Sequence, residues 1–527
     1  MRFTPVRAVA IALVVLLVIG AAGVAFTAFL TDDDTRDRPS SSPGTLAPTP
    51  TPQEGSGEPP DPALADYYGQ SIDWQLCRDD EFECGKLTVP IDYADPGGET
   101  IQLALLKVPA RDQAARVGSL VVNPGGPGAS GVDYAAQAGF AFRDPIRDAF
   151  DIVGFDPRGT VGSDPVDCLT DEQLDDFRAG DPDPDTADEA AAYQQGLTDF
   201  YAGCVERSDS LIGHVTTAEA ARDMDVLRSA LGESQLLYFG ASYGTKLGAT
   251  YADIFPDKAG RLVLDGAVDL SISSREATLQ QAAGFEVALR SYVQNCVDQG
   301  DCYLGDSLEE GLTTISDFIE GLDSEPLPTG DDDRPLTEGL GLIGVIAPLY
   351  SQQVWQALDL ALGRGLDGDG SLLLRLSDLY SSRNSNGTYA DNSSEAIYAI
   401  NCLDDPYAIT ADEVEAEVPA FEAASPTFGR SFAWQLVNCE GIQVQSSEPP
   451  RDVRAAGAAP IVVIGTTRDP ATPYQGAVNL AQQLESGVLI SRDGDGHTGY
   501  NQGNDCVDEA VESYLIDAVV PEDGLSC

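Results

Sequence analysis

Ser242 stands in Gly240-Ala241-Ser242-Tyr243-Gly244, after the apolar run Leu236-Leu237-Tyr238-Phe239 and before a helix-like segment that begins near Thr245. A serine raised on a sharp strand-to-helix turn needs almost no side chain two positions to either side, and Gly240 and Gly244 meet that need. Its hydroxyl is a poor nucleophile at its free pKa, so the chemistry requires a histidine base and a carboxylate to fix the imidazole tautomer. The chain holds two histidines. His214 precedes Thr216-Thr217-Ala218-Glu219, a capping-box pattern, and reads as a surface or capping-loop residue. His497 lies in Asp495-Gly496-His497-Thr498-Gly499, directly after the strand-like Gly487-Val488-Leu489-Ile490-Ser491, and reads as the base.

Pro460-Ile461-Val462-Val463-Ile464-Gly465 has the pattern of a buried parallel strand, and Asp469 follows it. The chain order Ser242, Asp469, His497 is the order of the α/β-hydrolases and differs from the chymotrypsin and subtilisin orders. Asp265, which ends the strand Arg261-Leu262-Val263-Leu264, is the rival acid and is expected instead to brace the turn after that strand. The oxyanion of a tetrahedral intermediate needs backbone N–H donors. Asn123-Pro124-Gly125-Gly126-Pro127-Gly128 follows the apolar Ser119-Leu120-Val121-Val122, where the first βα loop falls, so Gly126 and Tyr243 are the expected donors.

The stretches Asn123 to Gly131, Phe155-Asp156-Pro157-Arg158-Gly159-Thr160-Val161-Gly162-Ser163, the serine turn, Ile254-Phe255-Pro256-Asp257 and the Asp469 and His497 segments together resemble the proline iminopeptidase-related α/β-hydrolases. The resemblance spans about residues 70–527 and is strongest to the actinobacterial secreted tripeptidyl aminopeptidases and their exported esterase or protease relatives. Proline iminopeptidases usually carry His-Gly-Gly-Pro-Gly in the oxyanion loop and a tryptophan after the serine, whereas this chain has Asn123-Pro124 and Tyr243. The tripeptidyl branch shares those changes. The resemblance therefore implies release of short N-terminal peptides, with neither metal nor organic cofactor.

The elements that position these groups follow from the patterning. An α/β-hydrolase fold is expected, with a mostly parallel central sheet and a helical lid inserted between the nucleophile half and the Asp/His half. At 527 residues the chain can bury a large core and a second domain. Residues 63–268 carry alternating strand and helix patterns, and residues 455–527 return to them. Between them, residues 269–454 hold amphipathic stretches such as Leu312 to Leu322, Leu340 to Leu349 and Val354 to Leu362, expected to form the lid. Tyr350, Trp355, Tyr398 and Trp434 are its candidate pocket aromatics.

Arg2 and Arg7 precede an uncharged apolar stretch from Ala8 to Leu30, followed by Asp32-Asp33-Asp34. Residues 1–30 thus read as a signal peptide or signal anchor that leaves the rest outside, and residues 31–62 as a Pro/Ser/Thr-rich acidic linker. Ten cysteines, with no ligand set of zinc spacing, read as disulfides of an exported protein. Sequential pairing closes local loops: Cys77 with Cys84, Cys168 with Cys204, Cys296 with Cys302, Cys402 with Cys439 and Cys506 with Cys527.

The formal net charge is −56, from 86 acidic and 30 basic residues, which excludes broad attraction to nucleic acid or anionic lipid. Membrane contact is expected only through the N-terminal apolar segment, and the enzyme is expected to be a monomer. A peptidase that grips a free N-terminal ammonium needs a carboxylate near the site. Asp404 and Asp405, which fall where the lid returns to the core, are the expected pair. Three functions are weighed: an exported aminopeptidase, a carboxylesterase or lipase-like hydrolase with the same triad, and a binding protein that kept the fold. The complete triad in the correct order argues against the third.

Overall fold

The computed structural model describes residues 59–78, 81–446 and 451–527. The expected signal or anchor segment and nearly all of the expected linker lie outside the described residues. Among the described residues, no helix is long and apolar enough to cross a membrane.

Ten strands form one sheet: β1 (Gln75–Cys77), β2 (Phe82–Pro90), β3 (Thr100–Val108), β4 (Gly118–Asn123), β5 (Phe150–Phe155), β6 (Leu236–Ala241), β7 (Ala259–Asp265), β8 (Ile461–Arg468), β9 (Gly487–Asp495) and β10 (Leu525–Ser526). Their spatial order is β1-β2-β3-β5-β4-β6-β7-β8-β9-β10. The first three strands and the β3–β5 pair are antiparallel; every later pair is parallel. β4, β5 and β6 are buried along their whole length, because helices cover both faces. β3, nearer the edge, alternates exposed and buried residues over its first half. Ala241 pairs with Asp265 and Asp265 with Ile464, so the carboxyl ends of β6, β7 and β8 lie level and deliver their loops to one rim of the sheet.

Between β7 and β8 the chain forms helices, among them Ser274–Gln299, Leu308–Ser324, Glu338–Ile346, Trp355–Leu366, Ser393–Asp404 and Ala411–Ala424. Helix Leu308–Ser324 shows why: Leu312, Ile315, Ile319 and Leu322 recur at three- and four-residue steps and are its buried face. Five of these helices share an apolar core of their own, which includes Leu289, Leu340, Phe421 and Trp434, whereas helix Ser393–Asp404 packs Ala396, Ala399, Ile400 and Leu403 into the core of the sheet. Leu197, from helix Ala187–Ser208 between β5 and β6, belongs to the same core, and Tyr193 of that helix packs against Trp434 at a 5.3 Å ring separation. The roof over the sheet is therefore drawn from two segments of the chain.

The ten cysteines form five bridges, Cys77–Cys84, Cys168–Cys204, Cys296–Cys302, Cys402–Cys439 and Cys506–Cys527. Arg158, fully buried, is held by two bonds to Asp223 (2.8 and 2.7 Å) and by the carbonyls of Pro90, Ile91 and His214. This saturation is what permits a guanidinium in the core. Asp156, two residues earlier, accepts from Ser130 Oγ, Val132 N and Gly162 N, and so fixes the end of the glycine loop after β4.

Candidate active site

Ser242 sits between β6 and helix Tyr243–Ile254 with φ 56° and ψ −125°. Its N–H donates to the carbonyl of Asp265 at 2.9 Å, which holds the turn against the neighbouring strand. The glycine loop is pressed onto this turn. A Cβ on Gly125, itself at φ +105°, would lie 2.7 Å from Ser242 Cβ and 3.1 Å from Tyr243 N. Only glycine permits that approach, and it sets the loop that carries Gly126 beside the first N–H of the helix, which has no intrahelical acceptor.

Asp469 is 2 % exposed and His497 Nδ1 lies 2.9 Å from each of its carboxylate oxygens. The carboxylate also accepts from Ala471 N (3.0 Å), Thr472 N (2.9 Å) and Thr498 N (3.1 Å). Burial by itself would lower the pKa of His497, but the adjacent Asp469 charge and hydrogen bond outweigh it, and the pKa is raised above its usual 6.5. His497 Nε2 is buried with no hydrogen-bond partner. Ser242 and His497 line one cavity of about 1470 Å³, together with Gly126, Tyr243, Tyr350 and Tyr398.

Asp265 turns out to act at long range. Its carboxylate accepts Gly499 N at 2.7 Å and Tyr500 N at 2.9 Å, and so anchors the loop that carries His497. Burial, only partly offset by those two N–H groups, pushes its pKa up to about 6. From the lid side, the carbonyl of Tyr350 accepts His497 N at 2.8 Å and the Tyr350 ring meets the imidazole edge-on at 5.5 Å. Thr472 Oγ1 lies 3.3 Å from His497 Nδ1. These partners carry no local motif, and only the folded topology brings them together.

Asp404 and Asp405 diverge. Asp404, at the end of helix Ser393–Asp404, accepts from Thr217 N at 2.8 Å and from Thr217 Oγ1, and pairs with Lys246 at 2.7 Å. Tyr243 OH joins the same Thr217 hydroxyl at 2.7 Å. Asp404 does not line the cavity; Asp405 does, with Ser274 Oγ and Tyr407 N as its partners. Tyr350 and Tyr398 also line the cavity, whereas Trp355 and Trp434 belong to the lid core. His214 is bonded to Glu219 at 2.8 Å, at the start of helix Thr217–Ala230, far in role from the site.

A mostly parallel sheet that carries a serine turn after β6, an acid after β8 and a histidine after β9 defines an α/β-hydrolase. A family model described as alpha/beta hydrolase fold matches residues 118–332, and one described as TAP-like protein matches residues 425–527. Serine protease Hip1 of Mycobacterium tuberculosis is 38% identical over 87% of this chain and 91% of its own length. Carboxylesterase B of the same organism is 38% identical over 90% and 93%, and tripeptidyl aminopeptidase of Streptomyces coelicolor 31% identical over 84% of each chain. The chain belongs to the TAP-like family of α/β-hydrolases.

Proposed function

We propose that this chain is an exported serine aminopeptidase that releases tripeptides or similar short units from free peptide N-termini. Ser242 is the nucleophile, His497 the base, Asp469 the acid that orients it, and Gly126 and Tyr243 the oxyanion donors. The observation that carries the reading is the unpartnered Nε2 of His497, a residue that lines the same cavity as Ser242, while Nδ1 is fixed on Asp469. His497 takes the hydroxyl proton as Ser242 Oγ attacks the scissile carbonyl, and Asp469 stabilises the imidazolium. The two N–H groups bind the oxyanion; the same proton then passes to the leaving amine. Water, activated by His497, hydrolyses the acyl-enzyme.

The cavity wall favours a substrate with a positive end. Ten acidic residues line it against the three basic residues Arg178, Lys246 and Arg383. Asp405 is the member of the expected ammonium-binding pair that reaches this wall. Five disulfides, with no free cysteine among the described residues, support an oxidising compartment. The relative named carboxylesterase supports a second reading, ester hydrolysis by the same triad.

The deciding experiment compares kcat/KM on a chromogenic tripeptide amide with a free N-terminus and on its N-acetylated twin. A preference for the free amine of about two orders of magnitude, roughly 2.7 kcal/mol, is expected. Equal rates, or ester cleavage with no amide cleavage, would overturn the exopeptidase reading. Ser242→Ala should abolish both activities, a loss of about 10⁴-fold or more, with the melting temperature kept.

A further inference from the structure

Asp181, Asp183 and Glu338 bring one carboxylate oxygen each to within 4.8 Å of one another. Asp181 and Asp183 lie in the loop between helices Asp171–Arg178 and Ala187–Ser208, while Glu338 opens the lid helix Glu338–Ile346. The three therefore meet where the two segments of the roof join. Glu338 is 4 % exposed, and its Oε2 is buried without a hydrogen-bond partner. Among the described residues none of the three forms an ion pair. Arg430, which packs beside the loop, is turned to main-chain oxygen instead: it donates to the carbonyls of Asp183 (3.1 Å) and Pro184 (2.8 Å) and pairs with Glu415.

Three carboxyl groups so placed, one of them desolvated, cannot all ionise without a countercharge at hand. For three points no more than 4.8 Å apart, some position lies within about 2.8 Å of all of them, so a contraction of a few tenths of an ångström reaches calcium–oxygen distances. The donors are all carboxylate oxygens, a hard set that suits calcium or magnesium better than zinc or copper. Asp181 lines the large cavity, which gives the cluster a path to solvent.

We propose that Asp181, Asp183 and Glu338 form a binding site for a hard divalent cation of the calcium class, which clamps the lid helix Glu338–Ile346 to the 181–183 loop. The proposal does not rest on the peptidase reading.

The test uses the full chain, stripped with chelator and titrated with calcium chloride by calorimetry and thermal melting. Saturating calcium should raise the melting temperature by about 2 °C or more, and the double variant Asp181→Asn/Glu338→Gln should lose both the heat and the shift. Asp183→Asn serves as the comparison if the double variant does not fold. A wild-type protein that neither binds calcium nor melts higher with it would overturn the proposal, as would a shift that persists unchanged in the variants. A third outcome would also overturn it: no calcium response, together with loss of the free-amine preference in the variants, would make the cluster an ammonium subsite.

Discussion

Asp265 ties Ser242 to the histidine loop: its carbonyl accepts the Ser242 N–H at 2.9 Å, and its carboxylate accepts Gly499 N and Tyr500 N two and three residues beyond His497. One residue at the end of β7 thus sets the spacing between the proposed nucleophile and base from both sides. It touches neither reacting atom and is a positioning residue.

Asp265→Asn keeps the carbonyl but replaces one carboxylate acceptor by an amide donor. A fall in kcat of about 10-fold with little change in KM is the expected outcome, measured on the tripeptide amide. Stability supplies a second readout. The Asp265 pKa is raised from 3.8 to about 6 in the folded state, so the folded chain binds its proton more tightly, and stability from this group falls as pH rises between those values. Asparagine does not titrate. The melting-temperature deficit of the variant should be largest near pH 4 and shrink by pH 7.

The acidic limb of kcat/KM should have its midpoint above 6.5, because the base must be neutral and the pKa of His497 is raised. In Asp469→Asn the charge and hydrogen bond that do most to raise it are gone, while burial, which lowers it, and the pull of Asp265 remain; any residual activity should show a limb that moves to lower pH than in the wild type. The stability contribution has the matching sign: it is complete below 6.5 and lost as pH rises through the folded value.

Gly266 has φ +68°, and a Cβ there would lie 3.1 Å from His497 Cε1 and 3.1 Å from Thr472 Oγ1. Gly266→Ala must shift the imidazole to relieve the contact, and it adds a left-handed strain of about 1 kcal/mol. A kcat loss on the order of 10-fold, against a melting-temperature change of only a few degrees, is expected.

Asp404→Asn and Asp405→Asn should separate two jobs. The first breaks the Lys246 pair, which links the lid helix to the serine helix, and takes the Oδ2 acceptor from Thr217 Oγ1 at the start of helix Thr217–Ala230, so it should lower stability and slow the free and acetylated substrates alike. The second removes a charge from the cavity wall and should cut the ratio of free to acetylated kcat/KM by about 10-fold.

What could be read from the sequence was local. Glycines around Ser242, an apolar run before Asp469 and a strand before His497 are each complete within about ten residues, because the backbone geometry at those turns is set by immediate neighbours. The same holds for the lid helices, though Pro348 turns the end of the 340–349 stretch into a short 3₁₀ segment from Ala347 to Tyr350. Contacts between distant segments were not legible. Asp265 was expected to brace its own turn but reaches residues 499 and 500; the Tyr350 carbonyl and the Asp404–Lys246 pair have no sequence signature. The helix Ala187–Ser208 buries Leu197, Phe200, Tyr201 and Cys204, a pattern that fits packing on the sheet as well as on the lid, and only the fold reveals that Leu197 serves the lid.

The insertion of the lid between β7 and β8 has a consequence for the order in which the protein comes into being. Ser242 and its turn are synthesised before the lid, and Asp469 and His497 after it, yet β7 and β8 must pair directly. The proposed nucleophile therefore has no base beside it until β8 and β9 have been made and the strands on either side of the lid have closed on each other. On the triad proposed above, a nascent or half-folded copy would be chemically silent, and hydrolytic competence would arrive only once β8 and β9 have joined the sheet.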